Sequence, residues 1–273
     1  MKVRADFMKT FIKRLLYKIF SYLFTEYFLQ LRKIWKICEL KKLNPTHLNS
    51  VTIQQIFEIS QSQICQDFLV LSVFGPKYIG TFVEAGACDG HFCSNTLLLE
   101  KSFNWKGILV EPNSYWRDHN QVVHREATWY EGCLSKNCGV IDFKKVESPE
   151  LSGIVNHQQN DSWNKERNKS SIESVKCISL AKLLEISDFG DQIYYLSLDT
   201  EGSEFEILSS IDFNRIQIRI ITVEHNYNKA KRESILTLLN SHGFTRVMQN
   251  ISDHDDWYIS QTLMDRIVLP ESI

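Results

Sequence analysis

The stretch FVEAGACDGHFCSNTLLLEKSFNWKGILVEP, residues 82–112, decides the fold. Apolar residues from Thr81 to Ala85 run through one carboxylate, Glu84, into a loop containing Gly86, Asp89 and Gly90. Apolar spacing then turns helical over Ser94–Glu100, and a second short strand, Gly107–Glu111, ends in another carboxylate. A strand, a glycine loop, a helix and a second strand make one βαβ unit. Such loops receive nucleotides, so the residue types must say which one.

A dinucleotide loop needs G-x-G-x-x-G, whose second glycine lets the backbone approach the pyrophosphate. Here that place is taken by Cys88, and Asp89 would put a negative charge beside the phosphates. No loop ends in Gly-Lys-Ser/Thr, so the phosphate-binding loop of nucleotide triphosphatases is also absent. S-adenosylmethionine (SAM) has no phosphate and carries a sulfonium and an ammonium, for which a carboxylate-rich loop is suitable. Glu84 is then expected to act on the cationic methionine part, and Gly86 to remove a side chain where the ligand crosses the strand end. Glu111, 27 positions after Glu84, is placed to accept ribose hydroxyls. Cys133, Leu134 and Ser135 follow a third strand, Thr128–Cys133, and offer an adenine wall.

Outward from this unit, Ile193–Asp199 and Arg219–Val223 read as a fourth and a fifth strand. The runs FTRVMQ and DWYIS flank a turn-rich segment and read as a terminal hairpin. Strands alternating with helices imply a mostly parallel, doubly wound α/β sheet. Residues 148–174 are polar and lack periodicity, and are read as a loop serving as a lid or substrate loop.

The motifs SQICQD, the stretch quoted above, LSLDTEGSEFEIL, ITVEHN and DDWYI together resemble the FkbM family of SAM-dependent methyltransferases. The likeness runs from about residue 60 to 259. It implies a Rossmann-like class I methyltransferase fold of seven strands with a C-terminal antiparallel hairpin. It also implies O-methylation of sugar or other alcohol hydroxyls, and SAM contacts at Glu84, Gly86, Asp89, Gly90 and Glu111. Ala87, Cys133 and Leu134 complete the candidate cofactor set. Cys88 departs from the small or polar residues that similar sequences carry there. Some relatives serve in membrane trafficking with no known catalysis, so a non-catalytic interaction module on the same fold is the alternative.

Methyl transfer needs alignment and removal of a hydroxyl proton. Asp199 and Glu201 follow the fourth strand, and Glu224 and His225 the fifth, at the ends where α/β sheets bind ligands. All four are candidate catalytic residues. His225 is a candidate base by its ordinary pKa. Alternatively, Asp199 and Glu224 hold a divalent cation such as Mg²⁺. Glu201 can instead be a helix N-terminal charge, and His225 a structural histidine. Ser203 and Glu206 have capping-box spacing.

The 273 residues carry a net charge of −2, with 43% apolar and 23% charged residues. Residues 1–42 hold eleven Lys/Arg and three Asp/Glu, net +8, which leaves −10 for the rest. The body is therefore no nucleic-acid surface. Residues 1–45 form a basic arm with helical apolar spacing, and residues 51–273 the methyltransferase domain, with KKLNPTHLNS as the hinge. Lys18 and Glu26 break the arm's apolar run, and no small-residue cleavage site follows it. The arm is expected to lie on an anionic membrane or to dock on protein. Seven cysteines without a CxxC pair suggest reduced thiols, and the protein is expected to be cytoplasmic or peripherally membrane-bound.

Overall fold

The structure, a computed structural model, describes residues 31–42, 59–119, 124–157 and 163–264. The N-terminal part of the arm and the hinge read from the sequence lie outside the described residues. The chain enters through a helix, α1 (residues 31–41), and a second, α2 (Gln66–Phe74). The central unit follows as the quoted stretch requires: β1 (Thr81–Ala85), α3 (Leu97–Phe103) and β2 (Lys106–Glu111). A short helix, α4 (Ser114–His119), leads to β3 (Thr128–Glu131).

After an insertion come α6 (Leu180–Ile186), β8 (Gln192–Leu198), α7 (Glu204–Ser209) and β9 (Gln217–Glu224). The chain closes with α8 (Lys229–Ser241), β10 (Phe244–Val247), β11 (Asp255–Ser260) and α9 (Gln261–Met264). The main sheet has seven strands in the order β10-β11-β9-β8-β1-β2-β3. All pairs from β9 to β3 are parallel, and β11 runs antiparallel between β9 and β10. This is the seven-stranded sheet with an inserted antiparallel strand that the resemblance implied.

Alternation along the central strands explains why helices must cover both faces. Phe82 and Val83 are both fully buried, yet they belong to different apolar clusters on opposite sides of the sheet. Fully burying such a side chain stabilises by roughly 1.5–3 kcal/mol. A strand buried on both faces reads as a continuous apolar run, which is the parallel-sheet signature.

The insertion corrects the sequence reading. Residues 133–178 form a second, four-stranded sheet of β4 (Cys133–Leu134), β5 (Gly139–Val146), β6 (Gly153–Ile154) and β7 (Ser170–Ile178), in the order β4-β7-β5-β6. A short helix, α5 (Asn164–Arg167), precedes β7. Much of the expected loop at 148–174 is thus structured, and its last residues belong to a strand of nine residues. Both long strands are largely exposed, so they lack the apolar signal by which a strand is recognised. No helix among the described residues is long and apolar enough to cross a membrane.

Candidate functional site

A cavity of about 520 Å³ opens at the C-terminal ends of β1, β2, β8 and β9. Its floor comes from the main sheet through Glu84, Glu111, Ser197, Asp199 and Glu224. Its roof comes from the insertion: Phe143, Ser148–Ser152, Ile154, Trp163, Glu166 and Arg167. The volume lies in the range of small-molecule and cofactor sites, about 300–1,000 Å³.

Glu111 ends β2 and is held by two backbone donors. Its Oε2 accepts from Cys88 N at 2.9 Å and its Oε1 from Asn113 N at 2.7 Å. A carboxylate oxygen has two lone pairs, so each keeps one for a ligand hydroxyl. Burial, reinforced by Asp199, pushes Glu111 up to about 8. Against it stand Cys133, Leu134, Phe143 and Ile154, an apolar wall built by the inserted sheet.

Glu84 lines the cavity and also carries a structural task that the sequence did not show. Its Oε1 accepts from Asn95 N at 2.6 Å, and its Oε2 from the hydroxyls of Ser94 at 2.9 Å and Thr96 at 2.5 Å. The carboxylate fastens the loop that enters α3. The freed amide of Asn95 donates to Ser197 Oγ at 3.0 Å and lines the cavity. Arg125 braces the same loop through Thr96 Oγ1 at 2.9 Å, Ser94 Oγ at 3.2 Å and Glu100 at 2.8 Å.

Gly86 likewise has a structural task. Its φ is +84°, and an added Cβ would lie 1.7 Å from the Asp199 carbonyl oxygen. The glycine is required by the chain leaving β8, and it also lines the cavity. Gly86→Ala combines this clash with backbone strain, so a loss of roughly 3 kcal/mol or more is expected. Thermal denaturation of the purified variant checks this; an unchanged melting temperature would refute it.

The acidic wall lies opposite. Asp199, Glu201 and Glu224 bring carboxylate oxygens within 4.8 Å of one another. Asp199 and Glu224 share a hydrogen bond, and Asn226 Nδ2 donates to Glu224 Oε2 at 2.8 Å. Burial and the charge of Asp199 lift Glu224 well above the carboxylate range, so Glu224 holds the proton and Asp199 accepts it. Asp199 opens into the cavity, and desolvation by the protein around it lifts it to about 6. Burial, with Asp199 beside it, pushes Glu201 up to about 8, against the pull of Arg167 Nη2 at 2.7 Å. Asp255 supports the network from behind, accepting from Gln66 Nε2 at 2.9 Å.

Backbone strain concentrates here. Cys88, Cys93, Glu201, Asn226 and Tyr227 all line the cavity with positive φ, an arrangement that costs energy for non-glycine residues. The loop after β8 is fixed by Glu204, whose Oε1 accepts from Thr200 N at 2.8 Å and Gly202 N at 3.1 Å. Lys231 Nζ lies 2.6 Å from its other oxygen and, against the cost of burial, holds Glu204 below its ordinary pKa. The expected capping box is absent: Ser203 makes no side-chain cap bond, and Glu204 instead fixes the loop ahead of the helix.

Of the sequence candidates, Glu84, Gly86, Glu111, Cys133, Leu134, Asp199, Glu201 and Glu224 line the cavity. His225, Ala87, Asp89 and Gly90 do not. His225 is 1% exposed, with Nδ1 accepting from Tyr227 N at 3.0 Å. Burial lowers its pKa to about 4, and Asp256, itself held by Arg232 and Arg246, lies 3.8 Å from its Nε2. It sets the Asn226–Tyr227 turn from behind. Asp89 Oδ1 caps its own loop through His91 N and Phe92 N, Ala87 is buried in the core, and Gly90 packs under Arg125. Asn95 and Arg167 were missed, and Asn226, at the end of the fifth strand in VEHN, was given no role. The SNT run before α3 was a usable signal for Asn95; Arg167, in a polar stretch, had none.

A family model, described as the methyltransferase FkbM domain, matches residues 84–255. No curated protein matches the chain. Among solved structures, the FkbM methyltransferase from Methylobacillus flagellatus KT is similar at 12% identity and a TM-score of 0.41, over 66% of this chain and 43% of that chain. This chain therefore spans less than half the length of that protein. A precorrin-6y C5,15-methyltransferase from Geobacter metallireducens GS-15 is similar at 10% identity and a TM-score of 0.34, over 71% of this chain and 85% of that one. The METTL16 methyltransferase domain reaches 10% identity and a TM-score of 0.36, over 85% of this chain and 96% of that one. The family match covers well over half of the sequence, from the Glu84 loop to the start of β11, and on that basis the chain belongs to the FkbM methyltransferase family.

Proposed function

We propose that this protein is a SAM-dependent O-methyltransferase acting on an uncharged acceptor, a sugar hydroxyl of a glycan or glycolipid precursor. The observation that carries the reading is the polarity of one cavity. An apolar wall at Leu134, Phe143 and Ile154 suits an adenine, Glu111 between the walls suits a ribose diol, and carboxylates at the other end suit a cation. A nucleoside with a positively charged tail matches that sequence of surfaces. Bound there, SAM would supply an electrophilic methyl group.

The protein's own part is to bind, orient and take a proton. Asp199, ionised above a pKa of about 6, accepts the proton of the acceptor hydroxyl as its oxygen attacks. Glu224, protonated, holds Asp199 in place. Exposed faces of Phe92, Trp163 and Tyr227 at the lining give a sugar ring apolar surfaces to rest on. The ionised Asp199 repels a phosphate placed beside it. Neutral glycosides are therefore expected to accept labelled methyl groups, and their phosphorylated forms to do so at least about tenfold less well, since like-charge juxtaposition costs several kcal/mol. Equal transfer to both would reject the acceptor class.

The carboxylate trio also raises a divalent cation. Arg167 already pairs with Glu201, and a proton already links Asp199 to Glu224, so the trio keeps only the single negative charge of Asp199 without an ion. Methyl transfer in excess chelator is expected to stay within about twofold of the untreated rate, because a hard cation prefers about six oxygen ligands and these side chains offer few. Loss on chelation and recovery with Mg²⁺ would restore the metal reading. The deciding experiment for the function is calorimetric titration with SAM, S-adenosylhomocysteine and NAD. Saturable binding of the first two and none of NAD supports the enzyme. No binding by folded protein supports the non-catalytic interaction module.

A further inference from the structure

Helix α1 is apolar on two faces. One face is docked on the domain. Ile37 and Leu40 are buried in the core, and Lys36, itself buried, meets Asp253 together with Arg32. Lys33 Nζ donates to the Ser60 carbonyl at 3.1 Å. The opposite face carries Leu31, Ile34 and Trp35, which are 43%, 39% and 46% exposed. Spacings of three and four residues put them side by side on a helix. Cys38 continues the same face and is exposed. A helix anchored by one apolar face gains nothing within its own domain from a second.

We propose that this outward face of α1 is a docking surface for an anionic lipid bilayer. The sequence around it has the matching charge. Residues 1–42 carry a net +8 against −10 in the rest, and the sequence before the helix, FIKRLLYKIF, again interleaves apolar residues with Lys and Arg. Trp35 beside Leu31 and Ile34 suits the water–lipid boundary, where an amphipathic helix buries its apolar face among headgroups. A second copy of the chain is a poor occupant. A two-fold contact through this face would bring one +8 segment against another.

The anchor also gives docking a direction. Asp253 holds α1, and the next residue, His254, lines the cavity. The His254 carbonyl accepts from His225 N at 2.9 Å and Asn226 N at 3.2 Å, so the anchoring loop is continuous with the cavity wall. A bilayer held by α1 therefore sits at a fixed orientation to the cavity. This inference stands on the helix and the charge of residues 1–42, and holds whether or not the cavity transfers methyl groups.

Flotation of the full chain with vesicles tests it. Vesicles of phosphatidylcholine with one part in three phosphatidylserine are compared with phosphatidylcholine alone, at low and high salt. The compared variant is Leu31→Ser, Ile34→Ser and Trp35→Ser together, which leaves the buried face and the Asp253 anchor intact; its melting temperature confirms folding. The wild-type chain is expected to float with the anionic vesicles, to release as salt rises, and to lose at least tenfold of its partitioning in the triple variant. Equal flotation of wild type and variant would overturn the proposal, since the basic sequence alone would then suffice. Absence of flotation would overturn it as well. So would a wild-type dimer that the variant converts to monomer, which would assign the face to a second copy.

Discussion

Asp199→Asn lowers the turnover rate by about 10³-fold while SAM binding stays within a few fold, because a positioned general base contributes roughly 10²–10⁴-fold. The expectation rests on the hydrogen-bonded pair at the ends of β8 and β9. Glu224 keeps the proton, so Asp199 is the member able to take another. Asparagine preserves size and can still bond Glu224, but it cannot accept the acceptor's proton. The wild-type rate should rise with pH through about 6, since the required form is the ionised one and its fraction grows above the pKa. In the Asp199→Asn variant that limb should vanish. Single-turnover methyl transfer across pH 5–8, read beside calorimetric SAM affinity, separates the outcomes. A variant that binds normally and still turns over within tenfold of wild type would remove Asp199 from proton transfer.

The second large effect falls on binding. Measured above pH 8, where Glu111 is ionised, Glu111→Ala should weaken SAM by about 100-fold, since hydrogen bonds to a charged group contribute about 1.5–3 kcal/mol and two ribose hydroxyls share this carboxylate. The alanine also strands the amides of Cys88 and Asn113, which now donate to Glu111. Glu111→Gln separates the two effects, because it keeps an acceptor for one amide while removing the charge. Affinity should be ordered wild type, glutamine, alanine, with the acceptor's KM far less affected than that of SAM. If glutamine and wild type bind alike and alanine melts early, the carboxylate serves the loop and not the ligand.

The sheet was legible because its strands are buried on both faces and so read as apolar runs. Glu84 and Glu111 could be placed at strand ends for the same reason. Their roles could not be separated from sequence. A strand-end carboxylate that fastens a loop and one that faces a ligand look identical until Ser94, Asn95 and Thr96 are seen around Glu84. The structural need for Gly86 was hidden in the same way, since the partner that forbids a side chain there is a carbonyl more than a hundred residues away. The inserted sheet escaped because its strands are mostly exposed and leave no periodic apolar trace. His225 was drawn to the site by its residue type. Burial, which the sequence does not display, turns it away.

The inserted sheet begins and ends at one point of the molecule. Cys133 in β4 and Cys177 in β7 are register partners in adjacent parallel strands. Neighbouring strands lie about 4.8 Å apart, so the chain leaves and rejoins the domain through one narrow stem. The stem keeps the ends together whatever lies beyond it, and lengthening a closed loop costs little. The outer segments, Ser148–Ser152 and Trp163–Arg167, can therefore vary while the seven-stranded sheet stays as it is, provided the ties of Asn113 to Pro149 and Ser152 and of Glu201 to Arg167 are kept or replaced. A change in what the cavity admits has a ready anatomical route: redraw the roof and leave the floor alone.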